Sequence, residues 1–210
     1  MVFTTYLFRR MLEGLFEPRR SAQWVLEGKW SMETAVQLVV LAYALSAMLS
    51  IVIPGGPPSP DSGVVFVQHA LLIVVKVVYT GILALAAWGI GALFGGRGSF
   101  DEAIPLFGWH ALVTVLLSPL ASLAAGQMPQ PDADVPLIDE RGQVTAEALA
   151  AATDVPPGAA ILLLTAFFIS LWLMASYVAE LHRFESTWKV FGVIVAVPMF
   201  FGMMLLSAIS

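Results

Sequence analysis

The chain has 210 residues, of which 59% are hydrophobic and 12% charged, with a mean hydropathy of +0.85 and a formal net charge of −5. Soluble domains carry about twice that share of charge, so the composition excludes an ordinary soluble protein and points to an integral membrane protein. The absence of cysteine excludes disulfides, thiolate catalysis and Cys-ligated metal, and the acidic balance supplies no basic field for nucleic acid.

Residues 5–17, TYLFRRMLEGLFE, place Phe8, Met11, Leu12 and Leu15 at helical spacing, with Arg9, Arg10, Glu13 and Glu17 on the other side. This predicts an amphipathic helix, too short and too charged to span. It is expected to lie in the membrane interface, the alternative being packing against a membrane domain. Pro18 ends it. Ser21 is positioned to cap a second short helix over about 21–29, and Trp24 and Trp30 suit the headgroup region. The first long apolar run begins near Thr34 with no cleavage site behind a short apolar core, so the N-terminus is expected to be retained.

Five spans are predicted, at about 34–53, 63–94, 104–125, 158–179 and 188–209. Pro54-Gly-Gly-Pro-Pro-Ser-Pro60 stops the first. Gly95-Gly96-Arg97-Gly98 closes the second, after which Ser99 and Glu102 have the spacing of a capping box. Pro105 is read as a first-turn proline of the third span, and Pro119 as a kink near its far end. The polar insert 127–157 is read as containing a small hairpin over Val135–Val144 turning at Gly142. The predicted fold is an all-α polytopic membrane bundle, with residues 1–32 as interfacial amphipathic helices, residues 33–210 as the five-span domain, and the insert as its extracytoplasmic hairpin.

Eight of the ten Lys and Arg residues fall at the N-terminus or in the turns after spans two and four. Only Arg141 falls on the other side, and Lys76 lies within a span. The positive-inside rule therefore puts the N-terminus in the cytoplasm and the C-terminus outside. The insert carries six acids against one Arg and faces out. A weak echo links Phe100-Asp101-x4-Leu106-Phe107-Gly108 to Phe184-Glu185-x4-Val190-Phe191-Gly192, 84 residues on. Duplication and shared turn chemistry both explain it.

Three motifs, Leu-Phe-Glu-Pro-Arg-Arg at 15–20, Gly-Gly-x-Gly-Ser-Phe-x-Glu-Ala at 95–103 and Leu-His-Arg-Phe-Glu-Ser-x-x-Lys at 181–189, give an order of features that resembles the bacterial branch of the Yip family. That family comprises five-span proteins named for the interaction of their eukaryotic members with Rab-type GTPases. The resemblance covers about residues 15–209. It implies a multi-pass protein of the bacterial inner membrane with no established catalytic site, while the trafficking and membrane-shaping adaptor role of the eukaryotic members, which act in complexes, does not transfer simply to a bacterial cell. It transfers no functional residues, and the acidic insert departs from it.

Lys76 is the only charge within a span, and His69, Tyr79 and Thr80 share its helical neighbourhood. They form a candidate polar track for a small transporter or channel. The plainer reading has His69 at the outer interface and Lys76 snorkelling toward it, because no span supplies an acid to pair with it. His110 beside Trp109 is read as a hydrogen-bonding group between helices, since no companion ligand stands at a fixed spacing. His182, beside Arg183, is read as solvated or lipid-facing. Arg97, Asp101, Glu102, Arg183, Glu185 and Lys189 crowd the two cytoplasmic turns. They form a candidate partner-docking face, or else serve as caps and salt bridges. Gly81, Ala84, Gly89, Gly91 and Ala92 give the second span small residues for close packing. No nucleotide, hydrolase or metalloprotease motif occurs. The expectation is a non-enzymatic structural, assembly or adaptor protein without a cofactor beyond bound lipid, whose partners are lipids and other membrane proteins or further copies of itself.

Overall fold

The computed structural model describes residues 2–52, 62–128 and 155–209, and among them every regular element is helical. The elements are α1 Val2–Phe16, α2 Pro18–Glu27, α3 Met32–Val52, α4 Ser62–Leu93, α5 Phe100–Thr114, α6 Ser118–Ala125, α7 Pro157–Leu181 and α8 Thr187–Ile209, with a 3₁₀ turn at Val115–Leu117. Helices dominate because a bilayer offers backbone groups no water, so each segment must satisfy them internally. By length and composition, four stretches among the described residues are fit to cross a membrane: Met32–Leu49, Ala70–Leu93, Phe100–Ala125 and Pro157–Leu181. α8 continues for 23 residues. The predicted hairpin at 135–144 lies outside the described residues.

α5 is the centre of the bundle. It packs against α1, α2, α3, α4 and α7, and Ala103, Leu106, Phe107, Trp109, Leu112 and Val113 are all buried. α3 comes closest at Gly108, where a Cβ would meet the Ala35 carbonyl oxygen at 2.8 Å and its Cα at 3.0 Å. By contrast, the lipid-facing sides of α4 and α7 leave Leu71, Val75, Ile82, Ile161, Leu164 and Phe168 exposed.

The local signals hold at the start and end of the third span. Ser99 Oγ accepts from the Glu102 N–H, and the Glu102 carboxylate accepts from the Ser99 N–H, completing the capping box. At the far end the helix breaks into 3₁₀ at Val115–Leu117. Proline at 119 cannot donate to the Val115 carbonyl four residues back, and Ser118 Oγ donates to that carbonyl instead at 2.6 Å. Pro105, however, is the sixth residue of α5 rather than part of its first turn. The helix starts at the Ser99 cap, ahead of the apolar run.

Ser21 is not a cap. α2 begins at Pro18, whose fixed φ suits a first helical position, and Ser21 is buried within the helix, accepting a hydrogen bond from Trp109. α1 and α2 pack across one end of the bundle, α1 on α5 and α2 on α7. The predicted α1 stripe splits in the fold. Met11 and Gly14 turn inward while Phe8 and Phe16 stay exposed.

The echo between residues 100–108 and 184–192 is not matched residue for residue in the fold. Gly108 is pressed against Ala35, whereas nothing stands within 4 Å of a Cβ at Gly192. Ser99 Oγ caps Glu102 and Ser186 Oγ accepts from the Lys189 N–H at 3.4 Å. Those caps align 87 positions apart, not 84.

Candidate functional site

Two turns meet at the end of the bundle that carries α1 and α2. Each follows a helix closed by the same hydrogen-bond pattern. After α4, Gly96 N–H donates to Gly91 O and Gly95 N–H to Ala92 O, with Gly95 at φ 79°. After α7, Phe184 N–H donates to Ala179 O and Arg183 N–H to Glu180 O, with Arg183 at φ 56°. This is the Schellman closure, which favours glycine at the left-handed position. Gly95 meets that preference and Arg183 does not.

His182 joins the turns. Its side chain is 2% exposed, which overturns the reading of a solvated or lipid-facing histidine. The imidazole is wedged against α4 and the 95–98 turn because glycines there leave room for it. A Cβ at Gly91 or at Gly96 would overlap the ring, and a Cβ at Gly98 would meet the Leu181 carbonyl oxygen at 2.5 Å. The Gly-Gly-x-Gly pattern is thus a packing surface for His182 and Leu181. Nδ1 accepts from the Gly98 N–H at 3.4 Å, and Nε2 lies 3.2 Å from the Ala87 carbonyl oxygen. A ring that accepts at one nitrogen and faces a carbonyl with the other is the neutral Nε2–H tautomer. Burial holds its pKa below the ordinary imidazole value, outweighing the Ala87 carbonyl and the Glu102 charge, which raise it. Phe184 stacks on the ring at 5.6 Å, and the Arg97 N–H donates to the His182 carbonyl.

Arg19 of α2 locks the second turn from outside. Its Nε donates to Glu180 Oε2 at 3.0 Å, Nη2 to the Phe184 carbonyl at 2.9 Å and Nη1 to the Glu185 carbonyl at 3.1 Å. Gln23 holds the other Glu180 oxygen at 2.9 Å. The sequence reading credited Arg19 with orientation alone. The signal that finds its role is an Arg at the start of an amphipathic helix, facing the carbonyl-rich end of another helix.

The predicted docking residues sort into two groups. Glu102 is committed to its capping box. Arg97, Asp101, Arg183, Glu185 and Lys189 are exposed, and none takes part in a salt bridge among the described residues. Those bridges instead join Arg10 to Glu13, Arg19 to Glu180, and Arg20 to Glu13 and Glu17. Trp188, 70% exposed, stands beside these charges.

The intramembrane track falls elsewhere. Lys76, Tyr79 and Thr80 border a cavity of about 530 Å³ enclosed by α3, α4, α5 and α7. Tyr43, Ser46, His110, Thr114 and Ser170 line it as well. Thr80 Oγ1 donates to its own helix at the Lys76 carbonyl, 2.8 Å away. His69 stands on α4, but its side chain lies outside the described residues. His110 therefore belongs with Lys76, a link that sequence spacing missed because the two sit on different helices. Its Nε2 is buried without a hydrogen-bond partner among the described residues. Of the small residues on α4, Ala84 and Gly91 are buried, while Gly81 and Gly89 have nothing within 4 Å of a Cβ. Among the described residues no group of three or more His, Cys, Asp or Glu side chains could hold a metal ion.

The family model described as the Yip1 domain matches residues 13–209. No curated protein and no solved structure matches the chain.

Proposed function

The chain belongs to the Yip1 domain family of helical membrane proteins, and we propose that it is a non-enzymatic adaptor whose turn junction docks another protein at the cytoplasmic face of a bacterial inner membrane. The observation that carries this reading is the contrast between the junction's backbone and its side chains. His182 and Arg19 fix the backbone through buried or multiple contacts. The charges of Arg97, Asp101, Arg183, Glu185 and Lys189 are left exposed and unbridged among the described residues. A fixed surface with unspent charge suits recognition, where complementary charge sets specificity and association rate. Arg183 adds support. A non-glycine side chain at a left-handed helix end costs of order 1 kcal/mol, and glycine serves the matching position at 95.

The test is site-specific photo-crosslinking in cells from positions 101, 183 and 188. A discrete adduct from these positions, absent from lipid-facing Phe168, is expected. The triple reversal Arg97→Glu, Arg183→Glu, Lys189→Glu should abolish it without lowering the amount of protein in the membrane. An adduct that survives the reversal overturns the docking face.

In this reading α8 is the fifth span, the N-terminus is cytoplasmic and the C-terminus lies outside. The chain has no cysteine, so single introduced thiols report topology directly. An impermeant maleimide added to intact cells should label Gln143→Cys and spare Asp101→Cys. Labelling of Asp101→Cys from outside reverses the orientation and removes the docking proposal with it.

A further inference from the structure

The cavity at Lys76 has one cation and no carboxylate in its described lining. That lining also holds an imidazole with a buried unpartnered Nε2 and the hydroxyl of Ser46; the Thr80 and Thr114 hydroxyls donate to carbonyls of their own helices. Lys76 makes no salt bridge among the described residues, and no acid stands on the neighbouring stretches of α3, α5 or α7. A lone cation at membrane depth is costly unless something pairs with it. Lys76 is 17 residues from the α4 end at Leu93, about 26 Å at helical rise. His110 stands ten residues into α5 from Phe100, about 15 Å along.

The opposite end of the cavity is apolar. Leu83 and Met174 line it, and both also line a second cavity of about 470 Å³ between α4, α7 and α8. That second cavity is walled by side chains such as Ala87, Val178, Val190 and Ile194, and extends toward the turn junction at Ser186 and Lys189. Each cavity falls within the range of about 300–1,000 Å³ usual for small-molecule sites. The first cavity is polar and cationic at Lys76, and the second is apolar up to Glu185, Ser186 and Lys189 at the junction.

We propose that this cavity binds an anionic single-chain amphiphile. Its head group pairs with Lys76, and its chain runs past Leu83 and Met174. A zwitterionic head would leave its own cation facing Lys76 with no acid among the described residues to receive it, and a neutral head would leave Lys76 without a partner among them.

The experiment uses the full-length protein in a non-ionic detergent, with binding read by native mass spectrometry and by the shift in unfolding temperature. The probes are oleate, lysophosphatidate, oleyl alcohol and monoolein. Retention and stabilisation by oleate or lysophosphatidate, but not by the two neutral lipids, is expected, and the better of the anions identifies the head group. Lys76→Gln, on an exposed position that tolerates the change, should weaken the anion about tenfold or more, since one lost ion-paired hydrogen bond is of that order. Ser46→Leu fills the cavity without removing charge and should abolish retention at unchanged fold. Equal binding of charged and neutral probes, or anion binding unaffected by both variants, overturns the proposal. The Lys76 and Ser46 variants leave the charges of the turn junction in place, so these outcomes are distinguishable from those of the crosslinking test.

Discussion

His182→Ala is expected to lower the unfolding stability of the bundle by about 2–4 kcal/mol, the range for deleting a large, fully buried side chain together with its hydrogen bonds. The imidazole fills the space between Gly91, Gly96 and the end of α7 and hydrogen-bonds Gly98 in the α4–α5 turn and Ala87 in α4. Alanine leaves a void there and strips the Gly98 N–H and the Ala87 carbonyl of their partner. Gly91→Val tests the same contact from the other side. Its branched side chain overlaps the ring, and overpacking of this kind costs about 1–3 kcal/mol. Thermal unfolding in detergent, followed by intrinsic fluorescence, reads both. If His182→Ala unfolds at the wild-type temperature, the wedge does not hold the junction.

The same contact predicts a pH dependence. The neutral ring has its folded pKa held below the ordinary value of 6.5. Between the folded and unfolded values the unfolded chain binds the extra proton, so stability rises with pH across that window. The contribution is fully present above about 6.5 and is lost as pH falls through the lowered folded value, because a second ring proton would face the Gly98 N–H donor. His182→Ala should flatten the acid-side loss between pH 6.5 and the folded value. A slope that is identical in wild type and variant assigns the loss to other groups.

The features legible in the sequence are those whose physics is local. Span lengths follow from apolar runs, the Ser99–Glu102 box from a three-residue spacing, and the break before Pro119 from a missing N–H. What escaped is held across helices. His182 reads as a polar turn residue until three glycines 84 to 91 positions earlier are known to face it. Ser21 has the composition of a cap, yet it serves as the acceptor for an indole 88 residues away. Lys76 and His110 carry no shared period because they line one cavity from two different helices. The docking residues were legible as a cluster. Their separation into the capped Glu102 and the exposed remainder needed the helix start to be fixed.

Trp109→Ala is expected to release α1 and α2 from the bundle, at a cost of about 3–5 kcal/mol for truncating a buried Trp. Trp109 is fully buried, its Nε1–H donates to Ser21 Oγ at 2.7 Å, and Trp24 and Trp30 meet its ring edge-on at 5.2 and 5.9 Å. Gly14 of α1 closes over the same spot. A Cβ there would meet Val113 Cγ2 at 2.6 Å, and Ser21 Oγ and the Tyr177 hydroxyl at 3.2 Å. The hydrogen bond and the packing can be separated. Ser21→Ala strands a buried indole N–H and should cost about 1–3 kcal/mol. Trp109→Phe keeps most of the ring and removes the donor. The double variant should then cost less than the sum of the two, because neither group is left unpaired. Trypsin cleavage at Arg19 reads the release directly, since Arg19 must detach from Glu180 before that site opens. Trp109→Ala should accelerate that cleavage while the spans stay folded. An unchanged cleavage rate would show that α1 and α2 are held by Arg19 and Gln23 rather than by the buried indole.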